Sequence, residues 1–451
     1  MTWTHDSTGT TAAAWAARPE WDDVTPLHLV GADGGPVRRL VVVAAHPDDE
    51  SLGAAGLTHV AEAAGLAVDV VVATAGEGSH PRSPTHPRDV LAARRRAESE
   101  AAALAVAPRA RVRHLDRCDG ALADDLPGLV RELVAVVGDG RDALLVGPWR
   151  HDGHPDHDTA GEACVVAAAR TGCRVLGYPV WSWHWRAPGD LPWVDLRLLP
   201  LPDDARSAKR RAIAAHTSQV SPLSDAVGDE VLLGPDLLTH FEGDEVFVEE
   251  EPADRALDDL HREHDEPWGA EQRWYERRKR ALLLAALPRA RYRRAWEVGC
   301  STGALTADLA ARCDAVVGTD TSPAALDRAR ARTSDLPAVQ LLLRDAARPW
   351  DDELPPSGFD LVVVSEVGYF LSPRGLGGLA TAIVDGAPHA DVVLCHWRHE
   401  VVGWPMDGAD VHVRLRAHLE RAGLGEVGVY RDRDVELVVL GPSSSRPDPS
   451  S

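Results

Sequence analysis

The sequence predicts an α/β protein with two successive domains. Short valine-rich apolar runs alternate with segments of helical periodicity, which is typical of a doubly wound parallel sheet covered by helices on both faces. The alternation occurs on both sides of an acidic, proline-containing segment at 249–266. In each half, polar or glycine-rich residues follow the first apolar run, where α/β sheets bind their ligands. We therefore expect two domains, each with its own site.

Composition narrows the class of protein. Apolar residues make up 44% of the 451 residues, so a globular chain is expected, and this length suits two to four domains. The net charge of −22 argues against a nucleic-acid-binding surface, because phosphate neutralisation needs clustered lysine and arginine. No run approaches the roughly 18 apolar residues of a membrane span. A small neutral or cationic substrate fits this charge better.

The cysteines and the N-terminus indicate the compartment. Six cysteines, at positions 118, 164, 173, 300, 313 and 395, form no CxxC pair. They read as reduced thiols rather than as a disulfide framework. The N-terminus lacks a basic segment followed by an unbroken apolar core. A cytoplasmic protein is predicted.

Five segments are predicted along the chain. They are an irregular lead-in at 1–37, a first domain at 38–248, an acidic linker at 249–266, a second domain at 267–440, and a serine- and proline-rich disordered tail at 441–451. In the first domain the patterns predict strands at 40–45, 67–74 and 143–146, and helices at 52–64, 90–106 and 129–137. In the second, a basic amphipathic helix, WYERRKRALLLAAL, precedes the first strand.

The organising stretch of the first domain is Leu40–Gly56, LVVVAAHPDDESLGAAG, a buried strand that ends in a charged cluster. His46 and Asp49 can converge on one metal ion, and a catalytic zinc site has three protein ligands and one open position. Asp48 is free to act as general base on water. A third ligand must come from elsewhere, and WRHDGHPDHD at 149–158, after another apolar run, is the obvious donor.

A structural explanation of the same residues is available. Asp48, Asp49 and Ser51 could cap the helix that begins near Leu52. A second histidine and aspartate cluster after a second buried strand is hard to explain as another cap. The metal-site interpretation is therefore preferred.

The two clusters together resemble the PIG-L/LmbE family of zinc-dependent N-deacetylases. The resemblance rests on HPDDE after a valine-rich strand and on HPDH at 154–157, and it covers roughly residues 38–240. Smaller features occur in the family's order: Gly76-Glu77, Arg95, Glu98, Asp119-Gly120 and HTSQ at 216–219.

This resemblance implies a Rossmann-like sheet and a set of residue roles. His46, Asp49 and His157 would be the zinc ligands, Asp48 the base, and His154 the group that stabilises the tetrahedral oxyanion. Fe²⁺ would satisfy the same nitrogen and oxygen ligands.

The second domain begins with a nucleotide-binding pattern, AWEVGCSTGALTADLAARCDAVVGTD. A strand ends at Val298, a turn carries Gly299 and Gly303, and a second strand ends in Asp320. The glycines let the backbone approach a ligand, and an acid about 20 residues further on accepts ribose hydroxyls. The spacing ExGxxxG differs from the dinucleotide pattern GxGxxG. Asp345 follows a third apolar run, and FDLVVVSEVGYFL at 359–371 predicts a fourth strand.

This series resembles class I S-adenosylmethionine-dependent methyltransferases, which also have a Rossmann-like sheet. It looks closest to the NodS-like group, which N-methylates the amine of a glucosamine unit, and the match covers roughly 262–440. The resemblance implies that Glu297, Gly299 and Gly303 line the methionine end of S-adenosylmethionine (SAM), with Asp320 at the ribose and Asp345 near the adenine. Substrate-side candidates are Glu366, Tyr369 and His396, the last as the group that removes a proton from the ammonium.

A tryptophan-rich stretch, YPVWSWHWRAPGDLPW at 178–193, has two explanations. Clustered tryptophans usually pack in a core, and beside a hydrolase cleft they can stack on a sugar. If Trp183 stacks on a sugar, Trp183→Ala should raise KM for a glycoside.

The two halves suggest one chemical sequence. Hydrolysis of an N-acetyl group leaves a primary amine, which is what an N-methyltransferase accepts. A bifunctional enzyme acting on an N-acetylated amino sugar or glycoside is predicted, with no nucleic-acid or membrane partner. In the alternatives, the halves act on different acceptors, by O-methylation or on an unrelated amine, or one half only binds. The sequence does not specify the sugar or the oligomeric state.

Overall fold

A computed structural model describes residues 9–350 and 358–442 of the chain. The chain forms two compact units, Met1–Ala253 and Asp254–Ser451. Each unit is built around a mixed sheet with helices, so the predicted α/β class is confirmed. Within the described ranges, no helix is both long enough and apolar enough to cross a bilayer.

The first unit contains strands β1 to β8 and helices α1 to α10. The strands are β1 Thr25–Pro26, β2 Arg39–Ala44, β3 Ala67–Thr74, β4 Arg111–Arg117, β5 Ala143–Pro148, β6 Arg174–Tyr178, β7 Leu196–Leu199 and β8 Glu245–Glu250. The helices are α1 Ala12–Ala16, α2 Asp49–Gly53, α3 Ala55–Ala63, α4 Arg88–Val106, α5 Leu126–Val137, α6 Pro155–Thr171, α7 Ser182–Trp185, α8 Asp203–Ala215, α9 Thr217–Val220 and α10 Pro235–Leu238.

The first sheet has the order β1-β7-β8-β6-β5-β2-β3-β4. The strands from β6 to β4 are parallel, whereas β8 pairs antiparallel with both β6 and β7. From the central β2 the chain winds outward to β3 and β4, and then returns to β5 and β6 on the other side. The crevice between the carboxyl ends of β2 and β5 is thus a topological switch point, the usual ligand site of such sheets.

The second unit contains strands β9 to β15 and helices α11 to α16. The strands are β9 Tyr292–Val298, β10 Cys313–Asp320, β11 Val339–Leu343, β12 Leu361–Ser365, β13 Asp391–Trp397, β14 Leu424–Arg431 and β15 Val435–Pro442. The helices are α11 Ala256–Glu263, α12 Trp274–Ala286, α13 Ala304–Ala310, α14 Pro323–Arg332, α15 Pro373–Gly386 and α16 Gly408–Arg421.

The second sheet has the order β11-β10-β9-β12-β13-β15-β14. The strands from β11 to β13 are parallel, and the hairpin of β14 and β15 adds an antiparallel edge. The winding direction reverses between β9 and β12. This unit therefore also has its switch point between two central strands.

Local chemistry explains where the helices next to the first crevice begin and end. The His154 side chain caps α6 by accepting from the Asp156 N–H, and Pro155 occupies the first helical position. The helix ends at Gly172, whose φ of +78° suits the left-handed C-terminal cap. The predicted helix at 52–64 is split at Ala54 into α2 and α3.

The lead-in predicted at 1–37 is irregular over much of its described part but contains short regular elements. It forms α1 and β1, and Trp15 is buried edge-on against Trp183 with ring centroids 5.1 Å apart. The contact between the two tryptophans holds the segment against the core. The weak hydrophobic periodicity of the segment does not indicate this long-range contact. Trp183 is therefore part of the core, as the first of the two explanations predicts.

The segment predicted as an acidic linker at 249–266 is also structured. Its first two residues end β8, and α11 occupies half of the remainder. One charged residue of α11, Asp258, accepts a hydrogen bond from Ser322 Oγ, which joins this helix to the start of α14. Of the predicted tail, Gly441 and Pro442 belong to β15, and 443–451 lie outside the described residues.

Candidate active sites

The first crevice collects the two charged clusters of the first unit. His46 follows β2 and Asp49 opens α2, while His154 and His157 lie at the start of α6, after β5. Ring nitrogens of His46, His154 and His157 lie within 4.8 Å of one another. The structure thus brings together residues that are about a hundred positions apart.

The contact between His157 and Asp49 shows whether a metal ion fits. His157 donates from Nδ1 to Oδ2 of Asp152 at 2.8 Å, and its buried Nε2 has no hydrogen-bond partner and lies 3.1 Å from Oδ1 of Asp49. Two acceptors that face each other need a positive charge, either a second proton or a metal ion. Burial opposes protonation, but Asp49 and Asp152 outweigh it and raise the pKa of His157 to about 9. The contact therefore needs either a second proton on His157 or a metal ion, and both fit the residues present.

His46 is the second nitrogen donor of the crevice. Its Nδ1 lies 3.6 Å from Oδ2 of Asp49, and its Nε2 lies 3.2 Å from oxygens of both Asp119 and Asp156. The Asp49 carboxylate therefore lies between the two imidazoles, with one oxygen directed at each. Imidazole nitrogen and carboxylate oxygen are the donors that zinc accepts.

Asp48 is held beside this group in a strained conformation. Its φ is +128°, unusual for a residue with a side chain, and its Oδ2 lies 3.1 Å from Nη2 of Arg95. Burial raises the pKa of the Asp48 carboxyl to about 6, and Arg95 acts in the opposite direction. Asp48 is therefore fixed next to the candidate ligands with a carboxylate that can accept a proton.

His154 is poised to donate a hydrogen bond. Its Nδ1 accepts from the Asp156 backbone N–H at 3.2 Å, so the proton of the neutral ring resides on Nε2. Burial, followed by the charges of His157 and His46, lowers the pKa of His154 to about 3. A neutral ring with its N–H directed away from the helix suits an oxyanion stabiliser.

Sequence reasoning missed the carboxylates that orient the two histidines. Asp152 accepts the His157 Nδ1 proton and three backbone N–H groups, from Val180, Trp181 and Ser182. Asp156 receives the N–H groups of Gly120 and Leu122 while facing His46. Both aspartates lie within WRHDGHPDHD and were visible there. Their roles were not, because the backbone N–H groups that they accept belong to residues distant in sequence.

The second crevice contains the glycine turn after β9. Gly299 and Gly303 have φ values of +66° and +79°. A Cβ atom on Gly299 would lie 2.5 Å from Val367 Cγ2, so only glycine fits there. Asp320 accepts the backbone N–H groups of Ser301 and Ser322, which fixes its carboxylate at the end of β10.

Glu297 lies in the strand that precedes this turn, and Asp345 lies two strands away, after β11. Glu297, at the end of β9, is buried and accepts from Thr306 Oγ1, and burial raises its pKa to about 8. Asp345 follows β11 and accepts the Ala347 N–H at 2.9 Å. The predicted cofactor residues therefore lie at the carboxyl ends of β9, β10 and β11.

The substrate-side candidates differ in their placement. Glu366 follows β12 and is bonded to the Tyr369 hydroxyl. His396 is completely buried, accepts the Gly368 N–H at Nε2 and bonds His412 through Nδ1. Both of its ring nitrogens are therefore occupied, one by the segment after β12 and the other by α16. His396 supports the segment after β12 instead of facing a substrate.

Two family models match the chain. Residues 41–168 match PIG-L, the GlcNAc-PI de-N-acetylase family, and residues 296–377 match a methyltransferase domain family. Nodulation protein S of Rhizobium tropici is 36% identical over 108 residues, which are 24% of this chain and 44% of that protein. The chain spans about half the length of the curated relatives it matches.

Solved structures resemble each half. The N-methyltransferase NodS of Bradyrhizobium japonicum WM9, in complex with S-adenosyl-L-homocysteine, is 24% identical, with a TM-score of 0.35, covering 42% of this chain and all of that one. The N,N'-diacetylchitobiose deacetylase of Pyrococcus horikoshii is 20% identical, with a TM-score of 0.33, covering 41% and 71%. The chain thus joins a region, 41–168, that matches the PIG-L de-N-acetylase family to a region, 296–377, that matches a methyltransferase domain family and is similar to nodulation protein S.

Proposed function

We propose that the chain is a bifunctional enzyme that removes the acetyl group from an N-acetylated amino sugar or glycoside and then N-methylates the freed amine. The observation that carries the first step is the contact of His157 Nε2 with Asp49 Oδ1 at 3.1 Å, which requires a cation. For the second step, support comes from the glycine turn and Asp320 at the other switch point and from the nodulation protein homology.

In the first unit, His46, Asp49 and His157 would hold Zn²⁺, with Fe²⁺ as the alternative. When bound, the metal would polarise the amide carbonyl and acidify water. Asp48 takes a proton from the attacking water and returns it to the departing amine. His154 donates from Nε2 to the oxygen that becomes negative. Asp152 holds His157 in the tautomer that leaves Nε2 free.

In the second unit, the chain's own residues bind and align. The backbone of the Gly299–Gly303 turn approaches the methionine end of SAM, Asp320 accepts the ribose hydroxyls, and Asp345 lies toward the adenine. Since SAM is already activated, the protein must mainly align an amine lone pair with the methyl group and keep that amine neutral.

The coupled reaction is tested by mass spectrometry of N-acetylglucosamine glycosides incubated with the zinc-loaded protein, with and without SAM. Loss of one C2H2O unit without SAM, followed by gain of one CH2 unit with it, is expected. Tandem fragmentation should place the new methyl group on nitrogen.

Other outcomes of that experiment separate the alternatives. Loss of C2H2O with no later gain would refute the coupling and send the methyltransferase domain to a different acceptor. Methylation of an intact acetylated glycoside would indicate transfer to oxygen. No change in any glycoside would contradict the proposed substrate class.

A further inference from the structure

Glu366 occupies the switch point of the second sheet, across the crevice from the glycine turn. The next residue, Val367, contacts Gly299 so closely that a Cβ there would be 2.5 Å from Val367 Cγ2. Glu366 itself has a φ of +57°, a strained conformation for a residue with a side chain. Such strain is concentrated at functional sites, where the fold forces a side chain into place.

Two tyrosines hold the Glu366 carboxylate, one on each oxygen. Tyr275 donates to Oε1 at 2.8 Å, and Tyr369 donates to Oε2. Burial, followed by the negative charge of Glu366, raises the pKa of both phenols, so they remain hydrogen-bond donors. Because Tyr275 comes from α12, the helix before β9 also builds this site.

The charges around Glu366 do not balance. Lys279 Nζ lies 3.6 Å from Glu366 Oε1 and 2.8 Å from Glu276 Oε2, which gives one ammonium and two carboxylates. The Lys279 side chain is only 6% exposed, and those of Glu276 and Glu366 are 18% and 19% exposed. A partly buried excess of one negative charge favours a bound cation.

The titratable groups packed behind Glu366 are neutral. Burial raises the pKa of Cys395 to about 12, and burial followed by the charge of His412 lowers the pKa of His396 well below its usual value. Burial lowers the pKa of His412 to about 4. None of them supplies the missing positive charge.

Aromatic rings extend from the carboxylate. The Tyr369 ring lies 4.7 Å from Phe370, which lies 5.0 Å from Trp404 and 6.1 Å from Trp268 between centroids. Aromatic faces beside a carboxylate are the chemistry that recognises ammonium groups, including methylated ones.

We propose that Glu366, held by Tyr275 and Tyr369, binds the acceptor amine as its ammonium and takes its proton before methyl transfer. The inference rests on the proposed function only in that the acceptor is an amine. The ammonium proton moves to a Glu366 oxygen, and the nitrogen lone pair then forms the N–C bond as the S–C bond breaks with its electrons on sulfur. Glu366 later releases the proton to water. Once it is protonated, the remaining charges of Lys279 and Glu276 balance.

A second tyrosine and carboxylate pair, at the β14–β15 hairpin, contacts α12 through Arg278 and provides a matched control. Tyr430 donates to Asp432 at 2.9 Å, and Arg278 of α12 contacts the same carboxylate. One cation there matches one anion, so this group is balanced. Tyr430→Phe removes the same hydroxyl from a similar pair at the edge hairpin.

The binding test uses the full chain saturated with S-adenosyl-L-homocysteine and methyl glucosaminide as the amine, with methyl glucoside as the neutral analogue. Calorimetry should show that wild type prefers the amine. Glu366→Gln should weaken amine binding about 30-fold or more, and Tyr275→Phe about 5-fold, as expected for lost bonds to a charged group. Tyr430→Phe should change it less than about 2-fold. Affinity for S-adenosyl-L-homocysteine should stay the same in every variant, which also shows that they fold.

The pH profile distinguishes a proton acceptor from a structural carboxylate. Without Glu366, the amine must lose its proton in solution before it binds. Below the pKa of the amine, the defect of Glu366→Gln in kcat/KM should therefore shrink about tenfold for each unit by which the pH is raised. A structural role predicts a defect that does not depend on pH.

Several results would overturn the proposal. They are unchanged amine binding in Glu366→Gln, loss of S-adenosyl-L-homocysteine affinity in parallel, equal effects of Tyr275→Phe and Tyr430→Phe, or wild-type protein that binds no amine. If wild type binds the amine through Glu366 but the glycoside experiment shows no coupled reaction, the proposed function fails and this site stands.

Discussion

The two crevices occupy the same place in two similar sheets, but they are built from different parts of the chain. Between β2 and β5, charged side chains from two short motifs meet at His46, Asp49 and His157. Between β9 and β12, a glycine turn supplies backbone, and the charged group at Glu366 depends on Tyr275, 91 positions earlier. A hydrolytic site needs charge concentrated at one point, whereas a site for an activated methyl donor needs shape and one correctly placed amine. The first site therefore appears in the sequence as two short charged motifs, and the second does not, because the two reactions need different groups.

The strongest test of this comparison removes one charge from the first crevice. Asp48→Asn should lower the deacetylation kcat by about 100-fold to 10,000-fold, the usual contribution of a general base. Metal content should be retained, because the Asp48 carboxylate is bonded to Arg95 and is not one of the proposed ligands. Mass spectrometry of bound metal and a deacetylation assay measure the two effects.

Asp116→Asn is the matched control for Asp48→Asn, because Asp116 also has a positive φ, of +53°, and bonds an arginine. Its activity should equal that of wild type. A fully active Asp48→Asn enzyme would refute the base role, and loss of metal would show that Asp48 is a ligand.

A smaller effect is expected at Asp152, which is hydrogen-bonded to the candidate ligand His157. Asp152→Asn should weaken metal binding about 10-fold to 100-fold, since a carboxylate that orients a ligating histidine has an effect of this size. Competition with a chelator measures the affinity. Unchanged affinity would show that the three N–H groups alone hold the loop in place.

The second crevice should respond independently of the first. Asp320→Asn should raise the Kd for SAM about 10-fold, because a carboxylate that accepts hydroxyl bonds is replaced by a neutral group. Deacetylation should be unaffected. Calorimetry with SAM and the deacetylation assay on the same preparation decide this, and a parallel loss of both activities would mean that the sites are coupled.

A further prediction concerns the stability of the second unit and the buried carboxyl beside the glycine turn. Burial raises the pKa of Glu297 from 4.5 to about 8. Between these values the unfolded chain ionises and the folded chain does not, so wild-type stability should fall by up to about 1.4 kcal/mol per pH unit as pH rises. Glu297→Gln should lack this slope. Urea unfolding from pH 5 to 8 measures this slope in the transition that S-adenosyl-L-homocysteine shifts. Equal slopes for wild type and Glu297→Gln would contradict the raised pKa.

Much of the fold was predictable, because buried parallel strands are continuous apolar runs and their carboxyl ends meet in space. The meeting of His46 and Asp49 with the cluster at 149–158 followed from that rule, whereas the choice of His157 came from the family resemblance. The role of Asp152 could not be predicted, because the N–H groups that fix it come from residues about 30 positions later. The order within 9–37 and 249–266 depends on long-range contacts of Trp15 and Asp258, which periodicity does not record.

His396 shows a limit of a different kind. A residue at the end of an apolar run can face the crevice or be buried within the sheet. The apolar run has the same sequence pattern in both cases, so it does not distinguish them. In β13 the antiparallel partner β15 and helix α16 cover this position, with His412 of α16 bonded to the ring. The partners that bury it come from elements on both sides of it in the chain, since Gly368 precedes it and His412 follows it.

Four non-glycine residues in the described ranges have φ between +49° and +128°, and three of them, Asp48, Ser301 and Glu366, lie in the two crevices. At such positions glycine would relax the backbone, and each strained residue costs on the order of 1 kcal/mol. Selection for thermal stability alone would therefore favour glycine at Asp48 and Glu366, and it would delete the two carboxylates proposed to move protons. An engineering campaign on this chain should keep these positions constant, because folding and chemistry make opposite demands on them.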